Sequence, residues 1–259
     1  MRSLLNALLF FPSRTITRTP AQAGLDHREL WFDSGDGERL HGWWIARRAP
    51  ARGHVLLMHG NGGNIGDRLA LAEVLTAVGF DVLLFDWRGF GNSSGSPGEH
   101  GTYRDARAAR VCLLRQPGVD PARVLYLGES LGSAVAVELA LAHPPAALVL
   151  LSAFTSVRDL ARLHYRLIPK ALVPDAYPSL RRIAGVHAPL LVLHGDDDMT
   201  VPVEHGRALL HAAPGRKRLF IVPGVGHNDI VSLAGPQLAG EMASWAASLQ
   251  PATWSNSEG

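Results

Sequence analysis

Apolar runs of strand length recur along the chain, separated by longer stretches with helical periodicity. HVLLM (54–58), DVLLF (81–85), RVLYL (123–127), ALVLL (147–151), PLLVLH (189–194) and RLFIV (218–222) are short and nearly continuous in apolar residues, the pattern of strands buried on both faces. Between them DRLALAEVLTAVG (67–79), TYRDARAARVCLLR (102–115), LGSAVAVELALAH (131–143) and EHGRALLHAAP (204–214) have helix length, with Gly79 closing the first and Pro144 following the third. Strand alternating with helix predicts an α/β fold, a mostly parallel sheet covered by helices on both faces. Ahead of it, ELWFDSGDGERLHGWWI (29–45) reads as an antiparallel hairpin across the turn Ser34-Gly35-Asp36-Gly37, bringing the sheet to about eight strands.

Residues 156–188 break the rhythm. Pro169 and Pro174 lie five apart there, so short helices and turns are expected between two strands, as a lid over the sheet edge where ligands bind in open α/β sheets. Arg158, Arg162, Arg166, Lys170, Arg181 and Arg182 outnumber Asp159 and Asp175. Either an anion-attracting lid or an ordinary solvated helix surface accounts for that excess. With 259 residues and 47% hydrophobic content the chain suits one large domain, 1–259, carrying the lid as an insertion.

Charge narrows the function classes. The formal net charge is +2 and the basic residues are scattered rather than run together, so no nucleic-acid partner is indicated. The single cysteine, Cys112, excludes an internal disulfide, and its place in an apolar-periodic stretch reads as a helix packing position rather than a reactive thiol. The N-terminal apolar run is eight residues long, interrupted by Asn6 and stopped by Pro12, too short to span a bilayer. Ala21-Gln22-Ala23 mimics an export cleavage site, but Arg14 and Arg18 stand between it and the apolar run. The expectation is a cytoplasmic protein whose N-terminal segment packs on the domain or makes peripheral contact with a membrane surface.

Two segments match G-x-S-x-G, the pattern that sets a serine nucleophile on a sharp strand-to-helix turn: Gly91-Asn92-Ser93-Ser94-Gly95 and Gly128-Glu129-Ser130-Leu131-Gly132. Ser130 directly follows the run VLYLG and precedes a stretch rich in helix formers, whereas Ser93 lies eight residues past the nearest strand and before SGSPGEHG, which cannot begin a helix at once. Ser130 is therefore the candidate nucleophile. A base is expected on a later loop, and His227 in PGVGHND fits; His143 at a helix end, and His205 and His211 on a helical pattern, have surface explanations. The orienting acid should follow PLLVLH, where Asp196, Asp197 and Asp198 stand in a row that periodicity does not separate. HVLLMHGNGGNIGDR offers Gly60, Gly62 and Gly63 for close backbone approach, and Asn61 can present its N–H opposite that of Leu131 as an oxyanion hole. The rival reading of that loop, a dinucleotide site using Gly60, Gly62, Gly66 and Asp86, fails because the third glycine falls one position late and no Tyr-x-x-x-Lys accompanies it. No cofactor or metal is expected.

With HGNGGN, DWRGFGNSSG, GESLG, HGDDDMTVP and GVGHND in order, the chain resembles an α/β-hydrolase-fold serine hydrolase over nearly its whole length. Within that superfamily it is similar to the small-lid branch of the fungal bud-emergence hydrolases and mammalian protein depalmitoylases, down to LLFFPSR and LHGWWI. The resemblance implies Asp198 as the acid, through H-G-x-x-D-x-x-V-P at residues 194–202, with Ser130, His227, and Asn61 and Leu131 as oxyanion donors. It implies cleavage of a small-molecule or acyl ester or thioester. A non-catalytic binding protein on the same fold, or an amidase or peptidase using the same residues, remains the alternative.

Overall fold

The computed structural model describes residues 2–47, 50–165 and 173–249, with side chains from residue 6 onward. Eight strands form one sheet: β1 (His27–Asp33), β2 (Arg39–Ile45), β3 (Gly53–Met58), β4 (Phe80–Phe85), β5 (Val124–Glu129), β6 (Ala147–Leu151), β7 (Leu190–Gly195) and β8 (Lys217–Val222). Their spatial order is β8-β7-β6-β5-β3-β4-β2-β1. All neighbours run parallel except β2, which is antiparallel to both β1 and β4. This is the mostly parallel sheet with an antiparallel N-terminal hairpin that the strand and helix rhythm predicts, and it is the arrangement implied by the resemblance to the α/β-hydrolase fold.

The central strands are apolar without alternation because both of their faces are covered. On β3, Val55 and Leu57 join a core layer with Leu75, Met242 and Trp245, while Leu56 and Met58 point the other way, toward Phe85, Tyr126 and Val135. Helices α2 (Leu69–Ala77) and α8 (Ile230–Leu249) cover the first layer; α3 (Glu99–Leu114) and α4 (Leu131–Ala142) cover the second. Helix α4 is apolar nearly all round and correspondingly buried. At the sheet edge β1 is mostly solvent-facing. The hairpin loop is one residue longer than the expected turn: Asp33 pairs with Arg39, Ser34 N–H donates to the Glu38 carbonyl at 2.8 Å, and Gly37 takes a left-handed φ of +87°.

Helices α5 (Val157–His164) and α6 (Ser179–Ile183) lie between β6 and β7, and α7 (Val203–Ala212) follows β7. Helix α5 starts where the Ser156 hydroxyl accepts the Asp159 N–H at 3.0 Å. Within the proposed lid, residues 166–172, including Arg166, Pro169 and Lys170, lie outside the described residues. Arg158 and Arg181 both pair with Asp175, and Arg182 bonds the Tyr103 hydroxyl and stacks over its ring. Those three cations each have a partner within the protein.

The N-terminal segment is tied into the fold by contacts the sequence pattern does not reveal. Helix α1 (Arg2–Leu9) leads into Phe11–Pro12, which pairs in parallel with Gly62–Gly63, and Phe10 is buried. No described helix is long and apolar enough to cross a membrane.

Candidate active site

Ser130 sits where β5 stops and α4 starts, with no intervening loop. Its φ of +50° lies in the left-handed region that a residue with a side chain rarely adopts, and the turn is held by its own N–H bonded to the Leu151 carbonyl at 2.9 Å. Such a turn exists only because its flanks are glycine. A Cβ on Gly128 would lie 2.5 Å from the Gly132 carbonyl oxygen, and one on Gly132 would lie 1.9 Å from the Met58 carbonyl oxygen. The sharp turn projects the Ser130 side chain off the C-terminal edge of the sheet, partly exposed.

Two loops from that same edge reach Ser130. His227 follows β8, and its Nε2 lies 3.1 Å from Ser130 Oγ. Its Nδ1 lies 2.6 Å from Oδ2 of Asp198, which follows β7. With Nδ1–H donating to the carboxylate, Nε2 is the acceptor facing the serine hydroxyl. Asp198 is buried, and its Oδ1 accepts the backbone N–H groups of Thr200 at 2.9 Å and Val201 at 2.7 Å. Burial alone would raise this carboxyl, but His194, His227 and the Val201 N–H together hold it below the usual carboxylate range.

The three consecutive aspartates are separated by their surroundings. Asp196 is exposed and its Oδ1 accepts the Gly224 N–H at 2.6 Å; Asp197 is exposed as well. Only Asp198 turns inward to His227. The other histidines considered lie elsewhere: His143 caps the C-terminus of α4, His211 is in the last turn of α7, and His205 Nδ1 contacts the Thr155 hydroxyl at 2.9 Å.

The loop after β3 passes over Ser130. A Cβ on Gly60 would stand 3.6 Å from Ser130 Cβ. The Asn61 peptide is held from the N-terminal side, its carbonyl accepting the Phe11 N–H at 2.8 Å and its side-chain amide donating to the Leu9 carbonyl at 2.7 Å. Leu131 is the first residue of α4, where a helix leaves its N–H groups without partners inside the helix. Asp86, which a dinucleotide site would need at the surface, is fully buried and accepts the Ile65 N–H at 3.0 Å.

Ser93 is fully buried. Its hydroxyl donates to the Asp86 carbonyl at 2.9 Å and accepts the His41 N–H at 3.0 Å. Arg88 forks onto Asp105 and Asp36 in the same connection. The G-x-S-x-G match at Gly91–Gly95 is thus the inner wall of a loop, without access to a substrate.

Residues 49–182 match the family model Hydrolase_4, described as serine aminopeptidase, S33. The chain belongs to the Hydrolase_4 family. Proteins of similar sequence include an uncharacterized protein of Mycobacterium tuberculosis, 46% identical over 88% of this chain and 82% of that protein. The human alpha/beta hydrolase domain-containing protein 17C is 32% identical over 81% of this chain, a stretch that makes up 64% of the human protein. Among solved structures, an esterase of Pyrococcus furiosus superposes with a TM-score of 0.76 at 18% identity, covering 93% of this chain and 98% of the esterase. The esterase domain of a Rhodothermus marinus protein gives 0.65 at 22% identity, covering 85% of this chain and all of that domain. At those identities the structural matches speak for the fold. This Hydrolase_4 chain is accordingly a hydrolase of the α/β-hydrolase fold.

Two features of this candidate site leave no signal in the sequence. The brace of Leu9 and Phe11 on Asn61 joins residues some fifty positions apart through a two-residue ladder, too short to leave a periodicity. An ion pair between Arg68 and Glu129 likewise depends on β3 and β5 being neighbours, which no local pattern encodes.

Proposed function

We propose that the protein is a serine hydrolase that cleaves carboxylic esters or thioesters through an acyl-enzyme formed on Ser130. His227 Nε2 takes the Ser130 proton as Oγ attacks the carbonyl carbon, and Asp198 keeps the imidazole in the required tautomer and stabilises the imidazolium. The carbonyl oxygen, now negative, receives the N–H groups of Asn61 and Leu131 at the positive end of α4. His227 then gives the proton to the departing alcohol or thiol. Water repeats the sequence: it loses a proton to His227, attacks the acyl carbon, and the carboxylic acid leaves as Ser130 regains its proton.

The observation that carries this reading is the continuous hydrogen-bonded row Ser130–His227–Asp198, assembled from one strand-to-helix turn and two loops on one sheet edge. The family's description includes aminopeptidase and the structural neighbours include esterases, so a substrate panel should hold p-nitrophenyl esters of graded acyl length, thioesters and amino-acid p-nitroanilides. Pocket shape, rather than the three residues, sets the choice among them. The primary test is labelling by a fluorophosphonate probe. Wild-type protein should be labelled at Ser130, and Ser130→Ala should lose both labelling and ester hydrolysis; labelling that persists in this variant would overturn the assignment.

A further inference from the structure

The two proposed oxyanion donors belong to different chain segments, and the backbone ladder between those segments ends before it reaches either. The last paired residues of β3 and β5 are Met58 and Gly128. Asn61 lies three residues beyond the one and Leu131 three beyond the other. Past the ladder, Arg68 Nε donates to Glu129 Oε2 at 2.8 Å, with both side chains mostly shielded, at 18% and 23% exposure.

The pair touches both halves of the site. A Cβ at Gly60 would meet Arg68 at 3.4 Å, Glu129 at 3.5 Å and Ser130 Cβ at 3.6 Å, so the guanidinium and the carboxylate bracket the loop where it crosses the nucleophile. A Cβ at Gly63 would meet Arg68 at 3.4 Å as well. Arg68 closes the turn Ile65–Arg68, which is anchored by a reciprocal Asn64–Asp67 cap, with Asn64 in turn donating to the carbonyls of Ser13 and Thr15. Its head group therefore starts from a fixed base. Glu129 immediately precedes Ser130, where a bare carboxylate would repel a developing oxyanion.

We propose that Arg68 and Glu129 are a positioning pair that holds the loop of Gly60 and Asn61 over Ser130 and cancels the Glu129 charge beside the transition-state oxyanion. This rests on Ser130 being the nucleophile. Burial pushes the Glu129 carboxyl up, but Arg68, with smaller contributions from His59 and His227, holds it below its ordinary value, so the pair is ionised near neutral pH. His227 is faced by Ser130, by Asp198 with His194 behind it, and by Glu129 with Arg68, while His59 acts on Glu129 from its own side; Asp229 and Asp197 border the His227 loop. Only the Arg68–Glu129 pair is changed in the test.

The test compares Arg68→Gln, Arg68→Lys, Glu129→Gln and the double variant Arg68→Gln/Glu129→Gln on a short p-nitrophenyl ester, with fluorophosphonate labelling and thermal unfolding alongside. Arg68→Gln should lower kcat by about 10- to 100-fold at similar KM, the signature of a contact realised in the transition state. It should also move the acid limb of kcat/KM to higher pH, because an uncompensated carboxylate favours the imidazolium. Glu129→Gln should move that limb to lower pH. The double variant should restore the limb and recover part of kcat, and Arg68→Lys should recover more than Arg68→Gln. If Arg68→Gln does not fold, Glu129→Gln and the double variant decide by the same limb. Wild-type kcat with an unmoved limb overturns the proposal, as does a loss that the double variant does not relieve and that leaves the limb in place. Failure of the folded wild-type protein to react with the probe overturns the Ser130 reading itself, a result distinct from either.

Discussion

His227 Nδ1 and Asp198 Oδ2 lie 2.6 Å apart, joining the loop after β8 to the loop after β7 across 29 residues of sequence. If this contact sets the imidazole tautomer, Asp198→Asn should fold yet lose about 10⁴ in kcat, because an amide can present N–H to Nδ1 and favours the wrong tautomer. Asp196→Asn and Asp197→Asn should retain kcat within a few-fold. Steady-state kinetics on the three variants separates neighbours that the sequence leaves equivalent.

The same carboxylate gives stability a pH dependence. Asp198 is held below its unfolded value, so its contribution is fully present above about pH 4, the ordinary carboxylate range, and is lost as pH falls through its folded value. Wild-type protein should lose stability steeply below about pH 4, and Asp198→Asn should lose it less steeply. Urea unfolding midpoints of both proteins between about pH 5 and pH 3 measure the difference.

Ser93→Ala should separate matching a motif from occupying its geometry. It removes a buried hydroxyl that joins the Asp86 carbonyl to the His41 N–H, leaving each without that partner, at a cost of about 1–3 kcal/mol. Its hydrolytic activity per folded molecule should stay near wild type. Abolished probe labelling in a folded Ser93→Ala protein would contradict this.

Gly132→Ala should be far more damaging than its one added methyl group suggests. The new Cβ would fall 1.9 Å from the Met58 carbonyl oxygen and 2.7 Å from that of His59, both backbone atoms of the strand and loop beside Ser130. Helix α4 would have to move away from β3, so a loss of about 3 kcal/mol is expected in chemical denaturation, together with a fall in kcat.

Cys112 should be a slow thiol. Burial pushes it up to about 11, against a smaller opposing contribution from the Gln116 amide, so it is almost entirely protonated at pH 8. Its reaction with a disulfide reagent at that pH should be at least about tenfold slower in the native protein than in the unfolded chain.

Much of the architecture was legible because periodicity reports burial directly. HVLLM and ALVLL lack alternation, and their strands are covered on both faces; LGSAVAVELALA is apolar all round, and its helix is enclosed. That Ser130, and not Ser93, stands on a sharp strand-to-helix turn was legible for a related reason. A strand run, two glycines and a helix former in immediate succession allow one local geometry, and Gly128 and Gly132 are too crowded to accept a side chain.

Local order along the chain thus determined the class of fold, the sharp turn at Ser130 and the segments that carry His227 and the three aspartates. Tertiary structure decided which of Asp196, Asp197 and Asp198 turns inward, since that depends on where His227 arrives from another strand. It also decided that Ser93 is sealed beneath its loop, that Leu9 and Phe11 steady Asn61, and that Arg68 reaches Glu129. The physical reason is the same in each case. Side-chain pattern records which face of an element is buried, whereas contacts between loops follow from strand order and register, which bring together residues that have no local relation in sequence.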